Sequence, residues 1–152
     1  MRDERYNNLA EQGTPYAPLA DPTGVAVAVC ACDVDVDGRE EIYFVNAEAI
    51  FGDRPTFGDR LFKWQNNSSF GYQDLLGSVW NQHLHGNYPG RSAVCLDLLG
   101  NGWYSVVVAT YSFYGVSEFA VIEMDDSHPE NDPQSRLIIL RDVAYPPTVV
   151  TA

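Results

Sequence analysis

The sequence predicts an all-β fold, and three observations predict it. Its apolar and β-branched runs are strand-length, Val25 to Ala31 and Val106 to Ala109 being the longest. Gly, Pro, Asn and Asp gather at the breaks between the runs. No segment sustains a 3.6-residue apolar period between helix caps. With 45% hydrophobic and 12% aromatic residues, a chain of 152 residues has the apolar mass to fold around a core rather than stay disordered.

In chain order, Val25 to Cys32 is apolar at odd and even positions alike, which predicts a strand buried on both faces. An acidic loop follows, then the β-branched and aromatic Ile42-Tyr43-Phe44-Val45. Leu61-Phe62-Lys63-Trp64 comes after a turn-rich stretch from Phe51 to Pro55. Further strands are expected at Phe70 to Leu76, Ser92 to Leu96, Trp103 to Thr110, Phe119 to Glu123 and Arg136 to Arg141.

An internal repeat organises these strands. Asp33 to Tyr43 aligns with Asp97 to Val107 at an offset of 64 residues, each copy led in by a small apolar strand and out by a β-branched one. About four strands per repeat predict propeller blades, here two blades and about eight strands. Residues 1–23 form a lead-in, 24–86 the first blade, 87–144 the second blade and 145–152 a tail. Two blades would leave sheet edges uncovered, so the expected context is a longer propeller of which this is a fragment or short isoform. The N-terminus from Met1 to Tyr6 has no apolar signal region, and a secretory signal would then lie elsewhere.

The sharpest motif is the loop Asp33-Val34-Asp35-Val36-Asp37-Gly38-Arg39-Glu40-Glu41. Calcium takes six to eight oxygen ligands, and carboxylates at alternate loop positions supply them. Asp33, Asp35 and Asp37 hold positions 1, 3 and 5. Gly38 permits the sharp turn, Arg39 would offer its backbone carbonyl, and Glu41 adds a carboxylate at position 9. Four carboxylates this close repel one another unless a cation lies among them. An EF-hand is excluded, because its twelfth position requires Glu and Phe44 stands there, between strands rather than helices. The second loop, 97–105, keeps oxygen ligands at Asp97, Asn101 and Ser105 but has Leu99 at the third position, so a structural turn or a weak site is expected.

Charge narrows the partners. Nine Lys plus Arg against 21 Asp plus Glu give a net charge of −12, which repels phosphate backbones and anionic membranes. Nucleic-acid binding and membrane insertion are therefore not expected, and a cation or a basic protein partner suits the chain better. Cys30, Cys32 and Cys95 leave at least one thiol unpaired; either Cys30 or Cys32 could face Cys95 from an adjacent strand, or all three could stay reduced. Overlapping sequons at Asn66 and Asn67 permit glycosylation in a secreted protein. His83 and His85 are too few for zinc without distant cysteines, and Asp125 to Asp132 reads as a solvated loop. No nucleophile elbow, phosphate loop or dinucleotide fingerprint is present, so the chain is read as non-catalytic. Trp64, Trp80 and Trp103 could stack on sugars, although aromatic residues between blades more often form core.

The Asp-x-Asp-x-Asp-Gly-x-x-Glu loop between two strands resembles the FG-GAP repeats of integrin α-subunit propellers and related VCBS-repeat proteins. Over Ala31 to Asn46, Asp59 to Lys63, Gly90 to Cys95, Ile122 to Asp125 and Leu140 to Ala144, the sequence looks closer still to the cartilage acidic protein family. The resemblance covers residues 24–144 and implies a secreted, calcium-binding extracellular glycoprotein built from such repeats. The alternative is a glycan-binding protein, or a glycan-active hydrolase or lyase, carrying VCBS-type repeats.

Overall fold

A computed structural model describes residues 8–22, 24–46, 58–65, 71–78, 81, 90–110, 119–124 and 137–139. Among the described residues, eight strands form two antiparallel sheets of four, each in simple sequential order. The first holds β1 (Ala26–Cys32), β2 (Glu41–Asn46), β3 (Arg60–Trp64) and β4 (Tyr72–Asp74). The second holds β5 (Gly90–Leu96), β6 (Ser105–Thr110), β7 (Phe119–Met124) and β8 (Leu137–Ile139). The all-β expectation stands. The lead-in adds one element that the sequence reading missed, a single 3-10 turn at Ala17–Ala20 opened by a Pro18 whose missing N–H costs nothing there. Trp103 and Tyr104, expected in a strand, lie before it and are exposed, because the loop's turn continues until Ser105 pairs with Leu96.

The 64-residue offset extends to the hydrogen-bond register. The β1–β2 ladder runs from Ala26 opposite Asn46, through an irregularity before Ala28, to Cys32 opposite Glu41. The β5–β6 ladder repeats every pair, from Gly90 opposite Thr110, past the same irregularity before Ser92, to Leu96 opposite Ser105. A one-residue slip would exchange the faces of a strand, so this agreement fixes which side chains are equivalent.

The two sheets pack front to back, with β1 and β2 of the first sheet against β5 of the second. The first contributes Cys32, Val34, Tyr43, Val45 and Leu61 to the core; the second contributes Val106, Val108 and Ile122, and Ala28, Cys30, Ala93 and Cys95 pack around them. The first-sheet positions equivalent to Ala93, Cys95, Val106 and Val108 are Val29, Ala31, Ile42 and Phe44, which face away from this core and are exposed or half-buried. Each sheet therefore turns a different face toward the other. The expectation that β1 is buried on both faces is corrected, since Val25, Val27 and Val29 are 49%, 45% and 61% exposed. Among the described residues nothing covers that side of the strand. A single disulfide, Cys32–Cys95, joins the first strand of each sheet, and Cys30 remains a free thiol.

Candidate functional site

The acidic loop is built by its own backbone hydrogen bonds. Asp33 accepts from the N–H of Asp37 at 2.9 Å with Oδ1 and from that of Gly38 at 2.8 Å with Oδ2. Asp37 in turn accepts from Arg39 N–H at 2.9 Å. Such side-chain-to-backbone bonds give the turn partners its short chain path cannot provide, which is why aspartate recurs here. Two residues take left-handed backbone, Gly38 at φ 85° and Val36 at φ 59°. The second loop repeats this plan: Asp97 accepts from Asn101 and Gly102 at 3.0 and 2.8 Å, and Asn101 accepts from Trp103 at 3.0 Å.

Glycine occupies the position equivalent to Val36, with Gly100 at φ 68°. A β-branched residue in the left-handed region is a steric outlier. Asparagine tolerates that region, so Val36→Asn, at a half-exposed site, is expected to raise stability by about 1 kcal/mol. A shift of the urea midpoint to higher concentration checks it; an unchanged or lower midpoint would show that Val36 carries no strain.

Above this turn the carboxylates converge. Asp33, Asp35 and Asp37 each offer an oxygen, and these atoms lie within 4.8 Å of one another. Glu41 is drawn in from below: Oε2 accepts from Val34 N–H at 3.0 Å, and its side chain is only 1% exposed. The group that joins it to the aspartates is Lys63, the chain's only lysine, reaching over from β3. Its Nζ donates to Asp35, to Asp37 Oδ2 at 2.7 Å and to Glu41 Oε1 at 3.2 Å. An ammonium has three donors, and three carboxylates take them. Asp35 Oδ1 is buried without a hydrogen-bond partner.

The electrostatics follow from this packing. Burial is the largest single influence on Lys63 and opposes its charge, yet the bonds to Asp35 and Asp37 and the attraction of Glu41 hold the ammonium above the usual lysine range. Asp37 is pulled below the usual carboxylate range, chiefly by its bond from Lys63. Burial pushes the Glu41 carboxyl up. Asp97 is pulled down by the N–H groups of its loop, Gly102 first. A carboxyl whose folded pKa is depressed contributes stability above its unfolded value and loses it as pH falls; Glu41 acts with the opposite sign. The Tm of Asp37→Asn is therefore expected to fall less steeply than that of the wild type between about pH 5 and 3, the range where aspartate titrates. Parallel curves would remove Asp37 from the acid response.

The donor set fits calcium chemically. Hard carboxylate oxygens at alternate positions, an orphaned buried oxygen on Asp35 and a glycine at the turn are what a hard divalent cation uses. Asp33, Asp35 and Asp37 would hold the ion, with Glu41 and the carbonyl of Arg39 the further candidates. The second loop has the same backbone but not the same donors: Leu99 is 81% exposed and Ser105 is buried. Of its weak-site residues, Asp97 and Asn101 are engaged in shaping the turn.

No family model matches the chain. Cartilage acidic protein 1 of Homo sapiens is 42% identical to it over 146 residues, covering 93% of this chain. This chain belongs to the cartilage acidic protein family. The Mus musculus protein of the same name is 42% identical over 145 residues and the Xenopus tropicalis one 37% over 136 residues, covering 92% and 88% of this chain. The chain spans about a fifth of the length of these curated relatives, 21%, 22% and 20% respectively.

Other features of this cartilage acidic protein homologue escaped the sequence reading. A cleft of about 430 Å³ is lined by Tyr16, Trp64 and Tyr72 with Arg39 and Glu40. The Trp64 and Tyr72 rings meet edge-on at 5.2 Å, and Tyr16 lies 5.8 Å from Trp64. A polar cluster ties the lead-in to the first sheet, where Asn46 donates to Asp21 at 2.9 Å and the Tyr43 hydroxyl to Asp59 at 2.5 Å. Asn66, Asn67, Trp80, His83, His85 and the 125–132 segment lie outside the described residues.

Proposed function

We propose that the chain is a calcium-binding, non-catalytic module of an extracellular β-propeller that acts in matrix or cell-surface protein interaction. The observation that carries this reading is the convergence of Asp33, Asp35 and Asp37 above a turn shaped by their own carboxylates. Two sheets related by one fixed register and stacked front to back support the propeller, since that stacking can continue on both open faces. A disulfide and kinship with proteins named for cartilage support an extracellular setting. On this reading residues 24–86 and 87–144 are blades, the former carrying the ion, and partners are extracellular or cell-surface proteins.

Bound calcium would screen the repulsion among the aspartates and stiffen the β1–β2 turn. With a Kd of about 10⁻⁴–10⁻³ M, typical of extracellular modules, millimolar calcium adds about 1 kcal/mol, or roughly 3 °C in Tm. Melting in calcium and in EDTA tests this directly. A rise that Asp35→Ala abolishes is expected; identical melting of the wild type in both solutions would end the calcium reading. Glycan binding is a second reading, favoured by the aromatic lining of the Tyr16–Trp64–Tyr72 cleft. A glycan array that retains the wild type but not Trp64→Ala would promote it.

A further inference from the structure

Lys63 holds an unusual place among the carboxylates. Its ammonium contacts Asp35, Asp37 and Glu41, three of the four carboxylates assigned to the ion, and its side chain is only 12% exposed. Asp33 lacks this contact because both of its oxygens serve the turn backbone. The carboxylates thus already have a cation, supplied by the chain itself from 22 to 28 residues away. A divalent ion and this ammonium would draw on the same oxygens, and two like charges a few ångströms apart repel by several kcal/mol at the effective dielectric of a protein surface, about 20.

The internal repeat gives an independent sign that lysine and carboxylates belong together. In the first sheet Ile42 pairs with Phe62, and in the second its equivalent Val106 pairs with Ile122. Lys63 therefore corresponds in register to Glu123. Where Asp35, Asp37 and Glu41 give way to Leu99, Asn101 and Ser105, the lysine gives way to an acidic residue. A positive charge at this register position accompanies the acidic loop and is lost with it.

We propose that Lys63 is a tethered competitor for the calcium site, whose release from Asp35, Asp37 and Glu41 accompanies ion entry and sets the ion's affinity. The inference rests on the calcium reading above. Lysine suits the role because its ammonium is a compact point charge on a flexible four-carbon stem, able to leave the loop for solvent without moving β3. The free energy of binding is then that of placing calcium among the carboxylates less that of removing the ammonium. The native affinity is correspondingly weak, and in the emptied site the ammonium offsets part of the carboxylates' mutual repulsion.

The single lysine makes the exchange measurable on the unaltered chain. Reductive methylation, followed by mass spectrometry of the Lys63 peptide with the N-terminal amine as internal control, compares EDTA with millimolar calcium. Lys63 is expected to react at least tenfold faster in calcium. If calcium raises Tm but Lys63 reacts equally in both solutions, the ammonium stays in place and the competition is wrong, while the calcium reading survives. If calcium changes neither Tm nor reactivity, both fall together. Calorimetric titration of Lys63→Met with calcium gives the second arm, with a Kd at least tenfold below that of the wild type and of Lys63→Arg. Should Lys63→Met fold only in calcium, the calcium concentration at its refolding midpoint replaces the Kd. An affinity no tighter than that of the wild type overturns the proposal.

Discussion

Replacing Cys32 or Cys95 by serine is expected to lower the unfolding free energy by about 4 kcal/mol, the loop-closure value for a bridge across 63 residues. For a chain of this size that corresponds to a fall in Tm of roughly 10–15 °C. The bridge joins β1 to β5, and so ties together two sheets that otherwise meet through a modest set of side chains. Without it the unfolded chain regains the freedom to separate them, while the folded chain loses the link between its two halves. Cys30→Ser is the matched control. Its thiol is half-buried and pushed up by burial, hence protonated and poorly nucleophilic, and its replacement removes no cross-link. Thermal melts of the three variants decide the matter: a loss for Cys32→Ser and Cys95→Ser no larger than for Cys30→Ser would mean that side-chain packing alone holds the sheets together.

Why the sequence named three cysteines but no pair follows from the repeat. Cys30 and Cys32 point to one face of the same strand, so either is compatible with a partner on β5. The repeat does not help either, because the equivalents of Cys32 and Cys95 are Leu96 and Ala31, and the bridge joins positions that symmetry does not relate. The strands themselves were legible where local pattern governs. Ile42 to Val45 and Leu61 to Trp64 fall inside β2 and β3, and the offset read from Asp33 and Asp97 holds for every pair of two ladders. Burial was not legible for β1. Its valines look like interior on composition, but their exposure is decided by whether another layer covers them, a fact no local pattern carries.

The acidic loop divides along the same line. The role of Gly38 follows from turn chemistry and was legible in the spacing, whereas Asp33, read there only as an ion ligand, also accepts from the turn's own N–H groups. The repulsion among the four carboxylates was also foreseeable, and it argued for a cation. What spacing did not disclose is that β3 delivers one. Lys63 reaches the loop through the pairing of Leu61 with Tyr43, a long-range register that places the next inward-facing side chain of β3 over Glu41. That lysine is the only one in the chain was visible from the outset; that it mattered here required the sheet.

The second large effect follows from that placement. In EDTA, Lys63→Met is expected to cost about 3 kcal/mol, near the low end for removing one partner of a buried ion pair, because Asp35 and Asp37 stay partly hydrated while Glu41 does not. The pH profile separates this mechanism from simple loss of packing. Glu41 is already pushed up by burial, and without the ammonium its carboxyl rises further. A raised folded pKa favours the folded state below the unfolded value, and the advantage disappears as pH rises through the folded value. The deficit of Lys63→Met should therefore shrink as pH falls from 7 and Glu41 takes up its proton, the reverse of the acid response that Asp37 gives the wild type. Adding Glu41→Gln should recover most of the loss at pH 7, since the amide keeps an acceptor for Val34 N–H without a buried charge. A deficit that is constant across that pH range and untouched by the second substitution would show that Lys63 contributes its methylene stem to packing and not its charge to the loop.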